Sequence, residues 1–122
     1  MNQEKPSPGK RVLSVSTEPD LAAARALTLR DAGHQVTTAA GRTEAEQAIA
    51  DGEFDILVLC HTVPAEAALA IAEAFRKVNP AAKVVAVASG WFIVVRADRV
   101  VQMSDGPHAL LAAIAELGRH SA

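Results

Sequence analysis

The stretch FDILVLC, Phe54 to Cys60, is apolar at every position but one. A strand with one wet face alternates apolar and polar residues, whereas an unbroken apolar run of this length fits a strand covered on both faces. That points to a parallel sheet between two layers of helices, and the rest of the chain supplies the parts. Arg11–Ser16 (RVLSVS) is a second run of strand length, rich in apolar and β-branched residues. The segment after it, TEPDLAAARALTLRDAG, places a proline and acids where a helix begins and Gly33 where it ends. Leu21, Ala24, Thr28, Leu29 and Ala32 then share one helical face. Gln35–Ala39 is another strand, followed by a helix with Thr43 and Glu46 spaced as a capping box and Gly52 as its stop. A third helix is predicted from Pro64 to Lys77, with Leu69, Ala72 and Phe75 turned inward, Arg76 and Lys77 at its C-terminal dipole and Asn79-Pro80 beyond. KVVAVAS forms a fourth strand. GPHALLAAIAEL closes the chain as a helix, with Pro107 in its first turn and Leu110, Ile114 and Leu117 on one stripe.

Alternating strands and helices imply a parallel sheet with right-handed crossovers. In such sheets ligands and chemistry gather at the C-terminal strand ends, near the switch point of the strand order. The ends of the first and third strands, Ser16-Thr17 and Cys60, are the places to look.

Bulk properties bound the rest. The chain has 122 residues, enough for one domain with a core of its own. A net charge of −2 gives no electrostatic case for nucleic acid or an anionic membrane. No apolar run approaches the roughly 20 residues of a membrane helix. The single cysteine cannot form an internal disulfide, which fits a reducing compartment, and a cytoplasmic location is expected. The polar, proline-bearing start is expected to be a disordered tail over residues 1–9, with the folded unit at 10–118 and a short tail at 119–122.

With these elements in place the chain resembles a receiver domain of the two-component response regulators over roughly residues 10 to 118. The landmarks are RVLSVSTEPDL for the first strand and its acidic turn, AGHQVTTAAGRTEAEQAIADGEFDILVLCHTVP for the middle of the domain, and ADRVVQMSDGPHALLAAI for the last strand and helix. The implied fold is the flavodoxin-like (βα)5 three-layer sandwich with a five-stranded parallel sheet.

The residues by which the family accepts a phosphoryl group do not carry over. The aspartate ending the third strand, four residues before a proline, falls on Cys60, counting back from Pro64. The paired acids that hold Mg²⁺ fall on Ser16 and Thr17, with Glu18 an acid one place late. The Thr/Ser switch falls on Ala88, with Ser89 next, and the lysine ending the fifth strand falls on Met103. Mg²⁺ is a hard cation that wants carboxylate and water oxygens, and a thiol is a soft ligand without a carboxylate to phosphorylate. No cofactor or metal is therefore expected, and no enzymatic activity, since no nucleophile–base pair or phosphate-binding glycine loop is present.

Cys60 reads as a small buried hydrophobe at a strand end. A thiol sensor is the sharper alternative, but it needs a nearby cation. His61 points to the opposite face, and no Lys or Arg is expected near the pocket mouth. His34, His108 and His120 lack metal-ligand spacing. Only GWFIVVRADR separates Ser89 from VVQM, so the family's fourth helix should be shortened or replaced by a loop. Trp91, Phe92, Ile93, Val94 and Val95 in that connection either cover the sheet, add a strand, or form a contact surface. The expectation is a phosphorylation-independent pseudo-receiver that signals through a protein partner or a homodimer. The alternatives are a redox sensor acting through Cys60 and a small-ligand-binding domain.

Overall fold

The computed structural model describes residues 9–89 and 97–119. β1 (Arg11–Val15), β2 (Gln35–Ala39), β3 (Ile56–Cys60), β4 (Lys83–Ala88) and β5 (Arg99–Gln102) form one parallel sheet in the order β2-β1-β3-β4-β5. α1 (Pro19–Asp31), α2 (Arg42–Asp51) and α3 (Ala65–Val78) connect the first four strands. A 3-10 turn, Met103–Asp105, leads from β5 into α4 (Pro107–Arg119). The chain steps outward from β1 to β2, then back past β1 to β3 and on to β4. Right-handed crossovers put helices of opposite steps on opposite faces. Accordingly α1 shares one face with α4, and α2 shares the other with α3.

Strand periodicity divides the core. Leu13, Val15, Leu57, Leu59 and Val84 pack with Ala45, Ile49, Ile71 and Phe75 from α2 and α3. Val12, Ile56, Val58, Val85 and Val87 pack with Leu29, Leu110 and Ile114 from α1 and α4. All of β3 is buried, as its unbroken apolar run requires.

The helix faces differ in part from the sequence expectation: Leu29, Ala72 and Phe75 are buried as expected, but the α1 stripe is turned and Leu69 of α3 faces out. In α1 the buried stripe is Ala22, Arg25, Ala26 and Leu29, while Ala24 and Ala32 are exposed. In α3 it is Ala68, Ile71, Ala72 and Phe75, and Leu69 is 50% exposed. Both stripes follow the i, i+3, i+4, i+7 pattern. Alanines on every side of these helices weaken the apolar signal, and one large leucine then draws the apparent face toward itself. The start of α2 also differs. Gly41 takes the N-cap position, and Glu44 rather than Glu46 reaches back, accepting the Ala40 N–H at 2.8 Å. Glu46 pairs instead with Arg42 at 3.0 Å. Gly33 does end α1, with φ +98°, a conformation that favours glycine.

Gly9 belongs to the folded unit rather than to a tail. It lies so close to the Gly33–His34 turn that a Cβ would collide with the Gly33 carbonyl. At the other end α4 runs on to Arg119. The rest of the expected tails, 1–8 and 120–122, and the candidate interface Trp91–Val95 lie outside the described residues. Residues 89–98 join β4 to β5, and among the described residues of that connection there is no helix. Its end is tied to the α3 side: Ala97 packs against the α2–α3 core, and Asp98 accepts the Val84 N–H at 2.7 Å with Arg76 at 3.9 Å. No described helix is long and apolar enough to cross a membrane.

Leu57 is fully buried in the central strand, so Leu57→Ala should cost about 2–5 kcal/mol in urea unfolding. Leu69→Ala should stay within about 0.5 kcal/mol, the reverse of the ranking that the sequence suggests. Asp55 gives a pH test. Partial burial pushes its carboxyl up, but the Arg11 backbone N–H at 2.8 Å and the Arg11 guanidinium outweigh this and hold it below the ordinary carboxylate range. A depressed folded value means a contribution present above the unfolded value and lost as pH falls through the folded one. Asp55→Asn should therefore destabilise at neutral pH by about 1 kcal/mol, and that difference should vanish in acid.

Candidate functional site

The strand order reverses at β1 and β3, so the loops leaving their C-terminal ends flank a crevice at the edge of the sheet. Ser16 follows β1 directly and is 2% exposed. Its N–H donates to the Ala39 carbonyl at 3.1 Å, which continues the β1–β2 ladder. Its Oγ accepts the Glu18 N–H at 3.2 Å and lies 3.3 Å from Thr62 Oγ1. Thr17 donates its N–H to Thr62 Oγ1 at 3.0 Å and its hydroxyl to the Thr62 carbonyl at 3.2 Å. Neutral hydroxyls thus lace the two loops together. Thr62 went unnoticed in the sequence; the signal available was a hydroxyl residue two places beyond the strand end, in CHTVP.

Cys60 ends β3 and is 3% exposed. His61 beside it is exposed, as the strand alternation predicts. At the remaining family positions, Ala88 is the buried last residue of β4, Ser89 is exposed, and Met103, half-buried, opens the turn after β5. The structure thus brings Ser16, Thr17 and Cys60 together with Thr62 at one end of the sheet.

The expectation of no cation near the pocket is overturned. Arg25, on the buried stripe of α1, is only 8% exposed, and its Nη2 donates to Met103 Sδ at 3.4 Å. A positive charge therefore meets the position where the family has its lysine, delivered by α1 rather than by the end of β5. An arginine among alanines on an amphipathic helix reads as solvated, which is why the sequence hid it. The consequence reaches Cys60. Burial pushes its thiol up, but hydrogen bonds from the Arg25 guanidinium, the Thr62 hydroxyl and N–H, and the Ser16 hydroxyl outweigh this and bring it below the ordinary thiol range.

The pocket does not fit Mg²⁺. Ser16 and Thr17 already bind protein partners, Cys60 brings sulfur, and Glu18 is exposed at the start of α1. Among the described residues no group of three or more His, Cys, Asp or Glu side chains could hold a metal.

Neither a protein-family model nor a curated protein matches the sequence. Solved structures do match in shape. The response regulator TrrA of Thermotoga maritima, in complex with Mg²⁺ and beryllofluoride, is 25% identical with a TM-score of 0.76, covering 88% of this chain and 98% of that one. A CheY-like receiver domain protein of Methanospirillum hungatei is 22% identical with a TM-score of 0.76, over 91% and 95% of the two chains. The chemotaxis response regulator CheY4 of Vibrio cholerae is 20% identical with a TM-score of 0.78, over 91% and 99%. The fold is that of a response-regulator receiver domain. Within that receiver frame, the crevice between β1 and β3 holds hydroxyls, a thiol and a guanidinium.

Thr62 ties both loops of this receiver fold, so Thr62→Val, which keeps the shape and removes the hydroxyl, should cost about 1 kcal/mol. The same variant should shift the amide resonances of Thr17 and Glu18 in a two-dimensional NMR spectrum.

Proposed function

We propose that this chain is a signalling domain that works through protein–protein contact without being phosphorylated. The observation that carries this reading is the chemistry of the crevice. Where a receiver needs a carboxylate to phosphorylate and two more to hold Mg²⁺, this chain has Cys60, Ser16 and Thr17, all buried or hydrogen-bonded within the protein. Phosphoryl transfer onto a receiver is mostly positioning and charge neutralisation around the metal. Arg25 restores one positive charge but no carboxylate. The domain acts without catalysing a reaction, and its partner is a second copy or another signalling protein. Two features of the β5 side favour contact there: β5 is an edge strand, and Val100 on it is 39% exposed.

Adding Mg²⁺ and beryllofluoride, a phosphoryl mimic, should leave the amide NMR spectrum unchanged. Shifts centred on Ser16, Thr17, Cys60 and Ser89 would overturn the reading, as would stoichiometric labelling by a small phosphodonor.

A further inference from the structure

A buried guanidinium keeps its charge and is costly to leave without a counter-charge. Arg25 is such a group. The residue is more than nine-tenths buried, and no described carboxylate lies in ion-pair range of it. Nη2 has the weak thioether acceptor of Met103 at 3.4 Å, and Nη1 is buried with no hydrogen-bond partner. The acids of the neighbouring turns, Glu18, Asp20 and Asp105, are exposed.

This guanidinium stands at the wall of a cavity. A space of about 180 Å³ lies between α1, the end of β5, the 3-10 turn and the start of α4, and both Arg25 and Met103 line it. Its other walls are largely apolar, with Leu21, Val101 and Leu110 among them, while Thr28 and Gln102 add neutral polar groups. Thr28 already donates its hydroxyl to the Ala24 carbonyl at 3.2 Å, so Arg25 is the one charged group of the lining. Ala24 and Pro107, also in the lining, are exposed, so the cavity reaches the surface between α1 and α4. Gly106 and Pro107 bring the positive end of α4 to it, and the first turn of that helix carries no acid.

We propose that this cavity is a binding site for a small monocarboxylate with an apolar body, anchored by Arg25. A guanidinium offers a planar fork of donors that matches a carboxylate in two parallel hydrogen bonds. The thioether of Met103 is flexible and only half-buried, so it can swing off Nη2 and leave both Nη donors to an entering carboxylate. The carboxylate then supplies the counter-charge and the acceptor that Nη1 lacks. Size sets the rest of the molecule, because an apolar cavity of roughly 150 Å³ takes up a benzene ring. One ring, or a branched chain of similar bulk, therefore fits between Leu21, Val101 and Leu110. Inorganic phosphate lacks the apolar body that these walls would cover. The site depends on the contact-signalling reading for its output only: Val101, Gln102 and Met103 line the cavity from the strand whose Val100 is exposed on the proposed contact side.

The test titrates the native full chain with benzoate and follows the amide NMR spectrum. Benzoate should give saturable shifts at Ala24, Thr28, Gln102 and Gly106, with a Kd at or below about 1 mM. Benzamide has the same shape without the charge and should bind at least about tenfold more weakly, and phosphate should leave these amides unmoved. Arg25→Met removes the charge, keeps an apolar side chain in its place, and should weaken benzoate at least about tenfold. Should that variant fail to fold, Ala24→Phe, a change at an exposed position on the cavity rim, should block benzoate without touching the guanidinium. Equal binding of benzoate and benzamide overturns the proposal, as does benzoate binding that survives both variants. Shifts centred on Ser16, Thr17 and Cys60, or no saturable shift at all, overturn it too. Beryllofluoride binding would overturn the phosphorylation-independent reading and leave the benzoate result standing, so the two failures are distinguishable.

Discussion

β3 is paired with β1 on one edge and β4 on the other, and helices cover both its faces, so none of its residues can reach water while the fold is intact. Such a strand must satisfy its whole backbone within the sheet and fill both of its faces with apolar side chains. Everything else follows from that demand. α2 and α3 cover Leu57 and Leu59, while α1 and α4 cover Ile56 and Val58. The strand ends in the crevice between the two outward steps of the chain, where the residues that follow it meet the loop leaving β1 through Thr62.

The sheet was legible in the sequence because strand signals are strong here. Val, Ile and Leu runs of strand length stand out from an alanine-rich background, and the structure places β2 at the same five residues, Gln35–Ala39, that the sequence marks. The helices were legible in position but not in rotation. Alanine fits any face, so the apolar stripe of α1 could be turned by a residue, and Leu69 of α3 drawn inward, at no apparent cost, and for α1 the error mattered. Turning α1 by one position moves Arg25 from the solvent side onto the sheet. A crevice that reads as uncharged then gains a guanidinium. Thr62 was hidden for a different reason: its hydrogen bonds span 45 and 46 residues of chain to Thr17 and Ser16, and no local pattern announces a partner at that distance. By contrast, Ser16, Thr17 and Cys60 were found because strand ends at a switch point are fixed by topology alone.

The crevice is also a lesson in how a polar site can be emptied of carboxylates without collapsing. Three like charges at a strand end repel one another when no metal is present, and each loses hydration as it is buried. Ser16, Thr17 and Thr62 fill the same space with groups that hydrogen-bond one another, so the loops are held by their own side chains rather than by an ion. The methionine after β5 does similar work, since its flexible thioether fits beside Arg25 where a lysine would repel it.

That exchange of residues has a consequence for the electric field at this end of the sheet. A receiver with three acids and one lysine presents a negative floor and draws in a divalent cation. Here the buried fixed charge at this end of the sheet is the guanidinium of Arg25, beside Met103, and the carboxylates are replaced by Ser16, Thr17 and Cys60. A buried positive charge disfavours a hard cation close by, and raising the ionic strength changes this little because the charge lies beneath the surface.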